Sequence, residues 1–128
     1  MSERSYIMEI NTGSTFSQWD RGITMANGEL IWIAESDDSC RPELLERLVE
    51  QFEQTDDLAV AYVQSVLINA HGEVIKRPIE KGKPTIYNGR EFIRTHLLYG
   101  TSIINASMAI FNRNKSLSID RCFKQFKS

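Results

Sequence analysis

"GELIWIAESDDSCRPELLERL", Gly28 to Leu48, decides how this chain is to be read. Five apolar residues, Leu30 to Ala34, run directly into Glu35, Asp37 and Asp38. The run has no polar alternation, which is the pattern of a central parallel strand covered by helices on both faces. "RPELLERLVEQFEQ", Arg41 to Gln54, then places Leu44, Leu45, Leu48, Val49 and Phe52 in one helical stripe. Pro42 suits the first turn of that helix, and Glu43 and Arg47 are spaced for an i,i+4 ion pair. The stretch therefore predicts a buried strand, an acidic turn and an amphipathic helix.

Strand geometry gives the acids a chemistry. Successive side chains point to opposite faces, so Glu35 and Asp37 project to the same side, roughly 6–7 Å apart at the backbone. In open α/β sheets the ligand crevice lies beyond the carboxyl ends of the strands. An acid-x-acid at that edge suits a hard divalent cation, Mg²⁺ or Mn²⁺, which bridges carboxylates to substrate phosphates. The cation also relieves the repulsion among neighbouring carboxylates. Acids ahead of a helix have a plainer use, because they stabilise its N-terminus by about 0.3–1 kcal/mol. The tripeptide alone leaves both readings open.

Outward from this stretch, the pattern is strand, helix, strand, helix, strand. "SYIMEI", Ser5 to Ile10, alternates like a strand and ends at "NTGS". Phe16, Trp19, Ile23 and Ala26 recur at helical spacing up to Gly28. "LAVAYVQSVLI", Leu58 to Ile68, reads as a third interior strand, and "NAHGE" as a turn into the short strand "VIKR". The expected fold is α/β, a mostly parallel sheet flanked by helices. "PIEKGKPT" is an exposed loop by its prolines, glycine and lysines. "NGREFIRTHLLYG" predicts a second amphipathic helix with Phe92, Ile93, His96 and Leu97 on one side. "SMAIF" is a further strand, and "IDRCFKQFK" a final short helix.

Composition narrows the function. The chain has 128 residues, 41% apolar and 25% charged, with fifteen basic against seventeen acidic residues. That is one globular domain without the basic excess of a nucleic-acid binder. No apolar run reaches the roughly 18 residues that cross a bilayer, and the N-terminus lacks a signal-peptide pattern. Cys40 and Cys122 form no CxxC and read as free thiols of a cytoplasmic protein. No P-loop, G-x-G-x-x-G or nucleophile elbow is present.

The stretch from Asn11 to Leu48 resembles the middle of a family 2 glycosyltransferase of the GT-A fold. Asn11 and Gly13 match that family's Asn-x-Gly turn. Ala26, Gly28, Glu29 and Ile31 match its lead-in to a strand, and Glu35-Ser36-Asp37-Asp38 stands at its D-x-D-D position, followed by Pro42 and Leu45-Glu46. "NASMAIFNRN", Asn105 to Asn114, resembles the family's later strand beside the acceptor site. The resemblance covers most of residues 5 to 115.

The resemblance implies transfer of a sugar from a nucleoside diphosphate sugar to an acceptor hydroxyl, with inversion and with Mn²⁺ or Mg²⁺ as cofactor. It assigns Asp37 to the metal and diphosphate, with Glu35 as a companion at the ribose or sugar side and Asp38 supporting the loop. Asp20 falls where relatives often carry an Asn that touches the donor, and Trp19 where they carry an Arg. Asn11, Gly13, Asp20, Glu35, Asp37 and Asp38 are thus the expected donor-binding set, with Asp37 and Glu35 at the metal. The family's preceding strands, which bind the nucleobase, and its downstream base motif have no counterpart here. Residues 1–128 are therefore expected to form a single partial GT-A domain. Asp120 does not match the base motif, so no catalytic base is identified. An apolar first strand left at an edge invites pairing, so a homodimer or swapped assembly is expected. The alternative reading is a catalytically incomplete remnant that associates with itself or a partner.

Overall fold

The computed structural model describes residues 7, 9, 13–79 and 82–119. The expected strand Ser5–Ile10 lies outside them except for Ile7 and Glu9, and the expected last helix except for Ile119. Asn11, Asp120 and Cys122 also lie outside the described residues.

Helix α1 spans Thr15–Met25 and is followed by strand β1, Leu30–Trp32. Helix α2, Leu44–Gln54, leads to strand β2, Val60–Tyr62. A hairpin of β3, Leu67–Ile68, and β4, Val74–Lys76, comes next. Helix α3, Gly89–Phe92, continues as a π-helical turn over Ile93–Leu97. A 3₁₀ turn, Ala106–Met108, opens strand β5, Ala109–Asn112, and helix α4 follows at Arg113–Ser118.

The sheet corrects the expectation of parallel strands. Its order is β1-β5-β2, and β5 runs antiparallel to both neighbours. β1 and β2 do point the same way, as the strand-helix-strand pattern requires, but they are not adjacent. β5 arrives from far along the chain and fills the space between them. Trp32 and Ala61 both sit opposite Ile110. The most buried strand is therefore β5, not the Leu30–Ala34 run. Ile110 is 2% exposed, whereas Leu30 and Trp32 are half-buried.

The period-2 alternation of strands sorts the rest. Leu30, Trp32, Ala61 and Ile110 share one face, and α2 covers it with Leu44, Leu48 and Phe52. Tyr62 points to the opposite face, where its ring lies 5.8 Å from Phe92. Tyr87, Phe92 and His96 complete an aromatic nest there, with Tyr87 and His96 edge-on at 4.8 Å. His96 is half-buried, as its place on the helix predicts, and its Nε2 has no hydrogen-bond partner among the described residues.

Four local expectations change. The Leu58–Ile68 strand is two strands in two sheets, because the chain leaves the core sheet after Val63, whose N–H donates to the Met108 carbonyl at 2.9 Å. β3 is consequently exposed rather than interior. Its turn into β4 is fixed by Asn69, whose Oδ1 accepts from the N–H groups of His71 and Glu73, and by Gly72 at φ +80°. The 89–97 helix divides its apolar residues: Phe92 and His96 face the nest, while Ile93 and Leu97 are exposed. Among the described residues the ion pair joins Asp57 and Lys115, not Glu43 and Arg47. α4 was not expected. Its signal is Asn112, whose Oδ1 accepts from the Lys115 N–H at 3.0 Å as an N-cap. Arg113 then donates to the carbonyls of Ile23 and Thr24, satisfying the last turn of α1.

Candidate functional site

β1 and β2 end at the same edge of the sheet, and β5 begins there. The loops after Trp32 and Tyr62 and the turn before Ala109 therefore converge. Between them lies an open cleft of about 1050 Å³. Glu35, Asp37 and Asp38 line it from the β1 side, with Arg41 and Arg47 beyond them toward and on α2. Asn105 and Ser107 line it from the β5 side.

The acidic turn is tied down from β5. The Glu35 N–H donates to Ser107 Oγ at 2.8 Å, and the Ala106 N–H donates back to Glu35 Oε2 at 3.3 Å. Trp32 Nε1 donates to the Ser107 carbonyl at 2.9 Å. Ser107 is buried, so its hydroxyl must be paired in the fold, and this clasp pairs it. The Asp38 N–H closes the turn on the Glu35 carbonyl at 3.3 Å. Asn105 Oδ1 accepts from the Met108 N–H at 3.1 Å and holds the opposing 3₁₀ turn. The result is a fixed backbone carrying two exposed carboxylates, Asp37 and Asp38, while one Glu35 oxygen faces protein backbone.

Of the expected donor-binding residues, the structure brings together Glu35, Asp37 and Asp38. Gly13 and Asp20 do not line this cleft. Gly13 precedes α1 at φ +63°, a conformation that suits glycine. Asp20 lies within α1, where its carbonyl accepts from Thr24 Oγ1. Trp19 packs edge-on against Phe16 at 5.7 Å. Cys40 is an exposed free thiol on the cleft wall. Ser107, Asn105, Arg41 and Arg47 were not among the expected donor-binding residues. The available signal for the first two was a polar Asn-x-Ser set directly ahead of an apolar strand.

Among the described residues, no three His, Cys, Asp or Glu side chains gather to enclose a metal ion. An all-protein cage is not what Mg²⁺ or Mn²⁺ requires at a phosphate site. One or two carboxylates suffice, with water and substrate phosphates completing the shell. Asp37 and Asp38, exposed and oxygen-only, fit that mode.

The model of one protein family, glycosyl transferase family 2, matches residues 6–119. The chain belongs to that family. The match spans the acidic turn, α2, the whole β1-β5-β2 sheet and α4, so this family 2 domain includes the cleft. The family's chemistry is glycosyl transfer. No curated protein and no solved structure matches this sequence. Among the described residues no helix is long and apolar enough to cross a membrane.

Proposed function

We propose that this family 2 domain binds the diphosphate of a nucleoside diphosphate sugar in the cleft and serves transfer of the sugar to an acceptor hydroxyl, with inversion. The observation that carries the reading is the acidic turn, braced by Ser107, opening onto a cleft that Arg41 and Arg47 also reach. Carboxylates suit a divalent cation, and guanidinium groups suit phosphate oxygens. A cleft that holds both suits a metal–diphosphate better than either alone.

In this reading Asp37 is the metal ligand, Asp38 supports it, and Glu35 holds the turn in place. Bound Mn²⁺ or Mg²⁺ supplies Lewis-acid neutralisation of the charge on the departing diphosphate. The acceptor oxygen forms a bond to the anomeric carbon as the bond from that carbon to the diphosphate oxygen breaks. The nucleoside diphosphate leaves, and the acceptor proton passes to a base. Arg41 and Arg47 hold the diphosphate against its own charge.

The test is calorimetric titration of the chain with UDP, with and without Mn²⁺. Mn²⁺-dependent binding that is lost in Asp37→Ala is expected. Binding that ignores the metal, or that survives Asp37→Ala, overturns the assignment. Absence of any binding favours the alternative, a remnant that acts by association.

A further inference from the structure

The helix Gly89–Leu97 packs against the protein by one side. Phe92 and His96 turn inward to the aromatic nest at Tyr62. Arg90, Ile93, Arg94 and Leu97 stand at i, i+3, i+4 and i+7, so they share another side. All four are exposed, Ile93 at 50% and Leu97 at 42%. Leu98 and Tyr99 follow at 68% and 85%. A surface helix normally presents polar residues to water. This one presents two large aliphatic side chains beside two arginines, and the chain leaves it through two more exposed apolar residues.

The segment around this helix is charged with one sign. Neither Arg90 nor Arg94 forms an ion pair among the described residues. Residues 76–100 hold six basic residues and two acidic ones, a net +4 in a chain whose total is −2, which leaves −6 for the rest. The cations thus gather in a segment that also leaves its aliphatic residues in water. A lipid surface asks no shape match of a protein. It needs apolar side chains that sink to the acyl boundary and cations level with the headgroup phosphates. Arginine suits the second place, because its stem lies along apolar surface while the guanidinium meets phosphate. An acidic protein would answer the charges alone.

We propose that the outer side of the 89–97 helix, with Leu98 and Tyr99, docks this chain on an anionic bilayer surface. Ile93, Leu97 and Leu98 enter the acyl boundary, and Arg90 and Arg94 pair with lipid phosphates. Tyr99 sits at headgroup level, with its ring toward the lipid and its hydroxyl toward water. Nine residues make about 14 Å of helix, so the helix lies on the surface and does not cross the roughly 30 Å hydrocarbon core. Phe92 and His96 hold it to the protein from the other side. The inference is independent of what the cleft binds.

Co-sedimentation with vesicles tests it, with no nucleotide or metal present. The chain is expected to bind vesicles of equal parts phosphatidylserine and phosphatidylcholine, to leave pure phosphatidylcholine alone, and to bind less as salt rises. One unit charge at such a surface changes binding about fivefold. Arg94→Glu changes two and should weaken binding about thirtyfold, whereas Arg94→Lys should bind nearly as the wild type does. The pair Ile93→Asn and Leu97→Asn keeps every charge and should also lose most of the binding. Asp37→Ala should bind no more weakly than wild type, which separates this surface from the cleft. Circular dichroism checks that each variant is folded, and Arg94→Glu decides alone if the asparagine pair is not. A wild type that does not distinguish the two kinds of vesicle overturns the proposal. So does binding unchanged in Arg94→Glu or in a folded asparagine pair. A chain that ignores vesicles but binds soluble polyglutamate, and loses this in Arg94→Glu, overturns it in favour of an acidic protein partner.

Discussion

The strands that meet at β5 and the excursion between them, Val66 to Ile104, treat apolar residues in opposite ways. Around β5, Ile110, Ala61 and Leu48 are sealed between sheet and α2. Along the excursion, Ile75, Ile86 and Leu98 are each 68% exposed. The excursion is as apolar as the chain as a whole, at 16 of its 39 residues. The difference is that β5 joins β1 and β2 into one sheet, and α2 covers that sheet as a second layer. Among its described residues the excursion has a two-stranded hairpin and a nine-residue helix, and the helix reaches the sheet through the aromatic nest at Tyr62. Apolar content records what a segment is able to bury, whereas register and layering decide what is buried.

The largest expected effect tests that contrast directly. Ile110→Ala removes a side chain held between Trp32, Ala61 and Leu48, and should cost about 2–5 kcal/mol of stability. Ile75→Ala on the exposed face of β4 should lie within about 0.5 kcal/mol of wild type. Urea unfolding of both variants makes the comparison. If Ile75→Ala proves as costly as Ile110→Ala, the hairpin's outer face is covered in solution and the contrast fails.

The same contrast explains what the sequence disclosed. α1, α2 and the run at β1 were legible because their signals are local: a 3.6-residue stripe, a proline at a helix start, an unbroken apolar run. The position of the acids at a strand's carboxyl end was legible for the same reason. The antiparallel β5 was not, because nothing in "SMAIF" says which two strands it will part. The division of Leu58–Ile68 was hidden likewise, since the sequence stays apolar while the chain changes sheet. At the site, Asp37 and Asp38 could be read from their spacing. Ser107 could not, since its role arises from contact with Glu35 across 72 residues.

That contact gives the second prediction. Ser107→Ala leaves the Glu35 N–H without its acceptor in a part-buried setting, a loss of about 1–3 kcal/mol. The acidic turn should loosen as well. Mn²⁺-dependent UDP binding should then weaken, with amide exchange at Glu35–Asp38 rising faster than at β2. Ser107→Thr keeps the hydroxyl and should retain more of the binding. Equal exchange across both loops in Ser107→Ala would mean that the clasp braces the whole sheet rather than the turn.

The smallest effect lies where the two regions touch, at Tyr62. Burial, reinforced by the neighbouring Tyr87, raises the Tyr62 hydroxyl above its ordinary pKa of 10.0. The fold therefore favours the neutral phenol. Below the pKa of the unfolded chain both states are neutral and Tyr62 adds no pH dependence. As pH rises past about 10 the unfolded state ionises first, and stability is lost until the folded hydroxyl also ionises. Tyr62→Phe keeps the ring against Phe92 and removes that ionisation. The variant should lose less stability than wild type between pH 9 and about 11. The lysines and the tyrosines other than Tyr87 contribute equally to both proteins, so the difference between their unfolding midpoints reports Tyr62 together with its coupling to Tyr87. Parallel loss in the two proteins would mean that the nest admits water at Tyr62. The excursion would then be docked on the sheet more loosely than its ring contacts imply.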